Sequence, residues 1–194
     1  RPLVKEWTVD ELAAAVESGL KDRDFDRGRT LFAAAKCFAC HRFNDEGGGQ
    51  GPELTGVAGR FSPRDLLESI IVPSKTISDQ YESVTIATTD GRVITGRIVN
   101  MHGDNLAINP DMLDPNTMVN VSRGQIEEIK RSPVSMMPVG LLNTLKRDEI
   151  LDLTAYLLSL GDRENPMFHR TREKTGNAVA PKPKASAGAS ISGF

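Results

Sequence analysis

The chain has 194 residues, 39% of them hydrophobic and 26% charged, a composition that suits one or two small globular domains with a buried core. Its formal net charge of -2 excludes the strong basic excess with which nucleic-acid binders displace counterions. No apolar run reaches the roughly eighteen residues that a membrane span needs.

Charge is unevenly spread: from residue 161 onward six Lys and Arg stand against three Asp and Glu, so this stretch carries +3 and the remainder -5. The sequence opens on Arg1 with neither an initiator Met nor a signal peptide, which reads as a processed product or an excised domain.

The first predicted element is a helix in "WTVDELAAAVESGL", residues 7–20, with Thr8 or Asp10 near its start. A second runs from about Asp24 to Lys36 and carries Gly28 in its interior, at a cost of about 1 kcal/mol relative to Ala. A glycine there lets another helix cross at close range, with Tyr156 as a bulky partner and Phe32 one turn on. That helix leads into "KCFACHRF", residues 36–43, which holds both cysteines of the chain, Cys37 and Cys40, with His41 directly behind.

Three chemistries use such a cluster. A thioredoxin-like redox pair follows a strand, whereas this pair follows a helix. A structural zinc ion needs four ligands and would have to recruit His102 or His169 from far along the chain. Covalent haem attachment accounts for each feature: the two thiols reach the two vinyl groups of one porphyrin, and the adjacent imidazole lies under the iron. The Gly-rich "EGGGQGPE" that follows lacks the Lys and helix of a phosphate-binding loop and reads as a flexible loop at the haem edge.

Beyond it, "SPRDLLESII" predicts a short helix capped by Ser62 with Pro63 at its first position. The sequence then changes character near Pro73. "ESVTIATTDGRVITGRIV" alternates around an Asp90-Gly91 turn, "MHGD" makes a second turn, and "NLAIN", "MVNV" and "IEEIK" follow, giving about five strands over residues 80–130. These are expected to close into a small antiparallel barrel like those of the Sm or SH3 type. The segment has no basic, aromatic-studded surface, so RNA binding does not follow.

The stretch 132–161, "SPVSMMPVGLLNTLKRDEILDLTAYLLSLG", combines a Met-Pro loop with a core helix in which Ile150, Leu153, Leu157 and Leu160 share a face. Pro138 disfavours helical geometry at Met137 and lets its thioether project from a loop toward the iron. Met136 competes for that role, His102 and His169 are further candidates for the sixth ligand, and both methionines could instead fill gaps in the core. From residue 162 to 194 the chain is poor in groups to bury and is expected to be disordered.

"GRTLFAAAKCFACHRF", "GPELTGVAGRFSPRDLLESIIVPSKTISDQY", "DGRVITGRIV" and "SMMPVGLLNTLKRDEILDLTAYLLS" resemble a class I cytochrome c. More closely they resemble the haem-binding domain family of planctomycetes and verrucomicrobia, over about residues 7–160. The resemblance implies that Cys37 and Cys40 form thioethers to one haem c and that His41 is the proximal and Met137 the distal ligand. It also implies that the Pro52 carbonyl accepts a hydrogen bond from the other ring nitrogen of His41. Lys146 departs from the Ser or Thr cap common in cytochromes, and capping is expected from Asn143 or Thr144.

The expected architecture is a mainly α cytochrome c fold with an inserted β barrel, α+β as a whole. Its parts are an N-terminal helical extension (1–23), an N-terminal cytochrome part (24–78), the insertion (79–131), a C-terminal cytochrome part (132–161) and the tail. The expected function is electron transfer outside the cytoplasm, in the periplasm, as a free carrier or as a domain of a larger dehydrogenase, with a redox protein as partner. No nucleic acid and no membrane span are expected; a homo-oligomer is an open option. Two other readings stay open: a haem enzyme or gas sensor with a displaceable sixth ligand, and a partner-binding or oligomerisation module acting through the insertion.

Overall fold

The computed structural model describes residues 1–169. Helix α1 (Val9–Glu17) starts at Thr8, whose amide donates to the Glu11 carboxylate at 3.0 Å. Helix α2 (Phe25–Ala34) is capped by Asp24, which accepts from the Arg27 amide. Lys36 takes a left-handed conformation (φ 61°) and ends that run, and the one-turn helix α3 (Cys37–Cys40) follows. A small hairpin of β1 (Arg42–Phe43) and β2 (Glu46–Gly47) comes next. Helix α4 (Pro63–Ile71) has the predicted Ser62 cap, with Ser62 Oγ accepting from the Asp65 amide at 3.1 Å and Pro63 in the first turn, where its missing N–H costs nothing.

Five strands follow: β3 (Val84–Thr88), β4 (Val93–His102), β5 (Asn105–Asn109), β6 (Val119–Ser122) and β7 (Ile126–Arg131). They form one antiparallel sheet in the order β6-β5-β4-β3-β7. Strand β4 changes partner along its length, pairing with β3 through Gly96 and with β5 from Arg97 onward.

The expected barrel does not close. Strands β6 and β7 follow one another through the single 3-10 turn Arg123–Gln125, which turns a corner between them, and each remains an edge. The β7 edge carries Glu127, Glu128, Lys130 and Arg131, all exposed, charges of the kind that keep an unpaired edge from recruiting other strands. A satellite core of Ile86, Leu106, Ile108 and Val121 lines one face of the sheet. The sheet enters and leaves the rest of the molecule at one point, where the Ser132 amide donates to the Ser83 carbonyl at 2.9 Å.

Helix α5 (Arg147–Leu158) is the axis of the larger core, with every residue from Ile150 to Leu157 buried. Its cap differs from expectation. Lys146 occupies the cap position and Glu149 reaches back to accept from the Lys146 amide at 2.7 Å, which removes the need for a cap from Thr144. Asn143 serves the N-terminal segment instead, its carbonyl accepting from Val4 and Lys5 at 2.8 and 3.2 Å, while the Trp7 indole donates to the Leu145 carbonyl at 3.0 Å.

Helices α2 and α5 cross at Gly28. A Cβ there would lie 2.5 Å from the Asp152 carbonyl oxygen and 2.7 Å from Tyr156 Cβ. Tyr156 then packs against Phe25, Phe32 and Phe43, with ring centroids 5.3, 6.3 and 5.0 Å away. Beside the crossing, the fully buried Asp152 carboxylate pairs with Arg27 and accepts from the Asp24 amide at 3.2 Å.

The tail does not lose order at residue 162 as expected. The turn Pro166–Phe168 packs back on α2, Phe168 meeting Phe25 edge-on at 5.2 Å, because Met167 and Phe168 supply apolar anchors amid the polar residues. The rest of the expected disordered segment, 170–194, lies outside the described residues.

Gly28→Ala gains about 1 kcal/mol of helix propensity. The added methyl cannot fit without separating the helices, and overpacking of this kind costs about 1–3 kcal/mol, more against rigid backbone. A net loss of stability is expected in urea titrations of the holoprotein, with a larger loss for Gly28→Val; a Gly28→Ala variant as stable as the parent would show that the crossing yields.

Candidate functional site

The end of α2 delivers Cys37 and Cys40 onto one turn of helix, i and i+3, where side chains share a face. Both are free thiols. Cys37 is buried in the larger core, and burial pushes its thiol up to about 12; Cys40 is half-buried and also raised, by burial first and by the nearby Asp111 carboxylate second. Neither is poised as a thiolate, which is the form that a redox nucleophile or a zinc ligand needs. Among the described residues no group of three His, Cys, Asp or Glu is placed to hold a metal ion, so the zinc alternative has no ligand set.

His41 follows in extended conformation as the chain leaves α3. Its Nδ1 lies 2.7 Å from the Pro52 carbonyl oxygen, a contact that places the proton on Nδ1 and leaves the lone pair on Nε2. Burial holds the imidazole below its ordinary pKa, outweighing the opposing pull of the Pro52 carbonyl, so the ring stays neutral near pH 7 and able to ligate.

The Gly-rich stretch supplies the backbone for this contact. The Gly51 amide donates to the Cys40 carbonyl at 2.7 Å, and a Cβ on Gly51 would stand 2.7 Å from Cε1 of His41. A Cβ on Gly47, at φ +110°, would stand closer still to the His41 carbonyl oxygen. What the sequence suggests as a flexible loop is therefore a close-fitting strap across α3 and the imidazole.

Much further along the sequence, Met137 is half-buried and packs against the core that contains Cys37; Met136 is not among the side chains packed there. The chain bends at these two residues, and the Met137 amide donates to Ser135 Oγ at 3.1 Å. His102 stands exposed at the end of β4, opposite Asn105, and a ring nitrogen of the exposed His169 is engaged by the Glu164 carbonyl at 2.8 Å.

Two residues near the site escaped sequence reasoning. The Met112 carbonyl lies 3.4 Å from Cys40 Sγ, and Arg97 Nη1 donates to the Gln50 carbonyl at 2.7 Å, so the inserted sheet and its loops touch the strap. Arg97 lies in the quoted "DGRVITGRIV", but no local pattern places it against residue 50; that follows from the sheet's docking.

This donor set fits haem c: two thiols on one helix face, a neutral imidazole with its tautomer fixed, and a glycine where a side chain would displace the ring. The family model for Cytochrome c matches residues 25–91, about a third of the chain. The match supports a c-type cytochrome with covalently attached haem c as its cofactor, and the motif of Cys37, Cys40 and His41 is consistent with that attachment. It points to haem-based electron transfer, and with it to a redox partner in general. The matched stretch ends inside the first hairpin of the sheet, so Met137 lies beyond it. No curated protein matches the chain. No helix among the described residues is long and apolar enough to cross a membrane.

Replacing Cys37 or Cys40 by Ala should lower covalent haem content, and replacing both should abolish it, as read by pyridine haemochrome after acidified-solvent extraction. Haem retained by the denatured double variant would break the assignment. His102→Ala, at the exposed end of β4, should leave the absorption spectrum unaltered; a conversion to high spin would place His102 at the iron.

Proposed function

We propose that the chain is a monohaem electron carrier, or the electron-transfer domain of a larger dehydrogenase, with His41 and Met137 as axial ligands and no substrate at the metal. The observation that carries this reading is the packing of Met137 against the core that holds Cys37. When bound, haem c supplies a one-electron ferric/ferrous couple.

The residues of the chain divide the remaining work. Cys37 and Cys40 would tether the group. His41 donates through Nε2 while the Pro52 carbonyl holds the Nδ1 proton, which orients the ring and strengthens it as a ligand. Met137 would be the second protein ligand to the iron, excluding water, oxygen and peroxide, and its thioether would favour the reduced state. A filled sixth site separates a carrier from a haem enzyme or gas sensor.

Within the c-type class we place the chain with the planctomycete and verrucomicrobial haem-binding domains, on the four sequence stretches quoted above. Residues 24–78 and 132–161 form its cytochrome part and 79–131 the insertion. It works outside the cytoplasm, where haem is attached covalently, and its partner is a dehydrogenase or another electron donor or acceptor.

Met137→Ala should remove the sulfur-to-iron charge-transfer band, lower the midpoint potential and open the haem to carbon monoxide, while Met136→Ala should do little of this. The reverse pattern would move the ligand one residue and keep the carrier. An unchanged spectrum in both variants, or carbon monoxide binding by the parent protein at neutral pH, would favour an enzyme or sensor.

A further inference from the structure

Arg97 lies where β4 changes partner, paired with Asn109 of β5 just past Gly96, and its guanidinium reaches out of the sheet. Nη1 donates to the Gln50 carbonyl at 2.7 Å and Nη2 to the Gln80 carbonyl at 3.3 Å, and the group lies 4.9 Å from the centroid of the Tyr81 ring. Among the described residues no carboxylate stands within ion-pair distance of it, although most of the described arginines have one. A half-buried cation held by two carbonyls and an aromatic face is fixed by orientation, and a planar fork orients in a way that an ammonium group does not.

The carbonyl it holds begins a chain of contacts. Gln50 precedes Gly51, whose amide donates to the Cys40 carbonyl, and Pro52, whose carbonyl faces His41 Nδ1. Three consecutive residues are thus tied in turn to Arg97, Cys40 and His41. Gly51 lies too close to the imidazole for any side chain, so there is no soft group to absorb a shift at Gln50 before it reaches Pro52.

We propose that Arg97 is a positioning residue for the proximal ligand: from the inserted sheet it holds the Gln50–Pro52 backbone at the place where the Pro52 carbonyl keeps the Nδ1 proton of His41, and so sets how strongly His41 donates to iron. The proposal rests on His41 being the ligand. A firm hydrogen bond at Nδ1 leaves more electron density at Nε2 and favours the ferric state. Loosening it therefore shifts the couple toward ferrous, whereas removing a positive charge nearby shifts it toward ferric. The two effects have opposite signs and can be separated.

Arg97→Lys keeps the charge and loses the fork. In the holoprotein the ferrous-to-ferric ratio at fixed solution potential should rise about threefold, about 28 mV at 59 mV per decade for a one-electron couple, and the His41 Nδ1 proton should exchange with deuterium faster in ferrous NMR spectra. Tyr81→Leu, which removes the ring beneath the guanidinium, should move both readouts the same way by less, and it serves as the test if Arg97→Lys does not fold. Unchanged potential and exchange in a variant with full haem content, or a potential that falls while exchange stays constant, overturns the proposal. The parent protein separates this outcome from a failure of the ligand assignment, since its own low-spin spectrum and haem count test His41 before any variant is compared.

Discussion

The close crossing of α2 and α5 at Gly28 is the contact on which the site depends. The end of α2 is the platform from which Lys36 turns the chain and α3 presents its two sulfurs, so the place of the haem attachment is set by where α2 rests. It rests on backbone, with Asp152 and Tyr156 of α5 directly beneath the glycine. The buried Asp152 carboxylate locks the arrangement by taking the Asp24 amide at the helix start and the Arg27 guanidinium one turn on. A buried carboxylate stripped of such partners costs about 3–5 kcal/mol, so the pair specifies the docking of these helices as well as tolerating it.

The two sides of the candidate site are built differently. Its proximal side is local: sulfurs, imidazole, strap and the Pro52 carbonyl all come from residues 37–52 and are joined largely by backbone hydrogen bonds. The distal side proposed for it is remote, carried by a loop whose neighbours are the sheet exit on one side and the start of α5 on the other. Val4, Lys5 and Trp7 brace that second flank through Asn143 and Leu145. The N-terminal segment is therefore part of the support for the methionine loop, and more than an outer layer.

This difference explains what could be read in advance. The cluster of Cys37, Cys40 and His41 could be read because it lies in one short stretch, the His41–Pro52 contact was implied by the family resemblance, and Gly28 with Tyr156 was legible because a glycine inside an apolar helix asks for a partner. The strands were legible from alternation, but whether their outer edges meet depends on the corner at residues 123–125, which no local pattern states. Asp152 was passed over because it sits within an apolar stripe, where the period of the hydrophobic residues draws attention from the one charge among them. Arg97 was out of reach for a different reason: its partner is a carbonyl, and every residue has one. Met137 lies between these cases: its loop could be recognised from the adjacent proline, and its proposal over Met136 as ligand is supported by its packing against the core.

The meeting of Ser83 and Ser132 at the base of the sheet bears on how the chain folds. Helices α2 and α5 must find each other across more than a hundred residues of sequence, and closing long loops lowers the entropy of the chain and slows folding. The sheet's own contacts are between neighbouring strands, apart from the pairing of β3 with β7, and once formed it reduces 48 intervening residues, 84 to 131, to a junction 2.9 Å across. By the loop-closure relation, shortening the connection between the helices from 112 residues to 64 lowers the cost of docking them by about 0.5 kcal/mol. In kinetic terms the insertion is a splint: an early-forming sheet would hasten docking of α5, and a sheet slowed by mutation would delay the helix pair without touching a single residue at their interface.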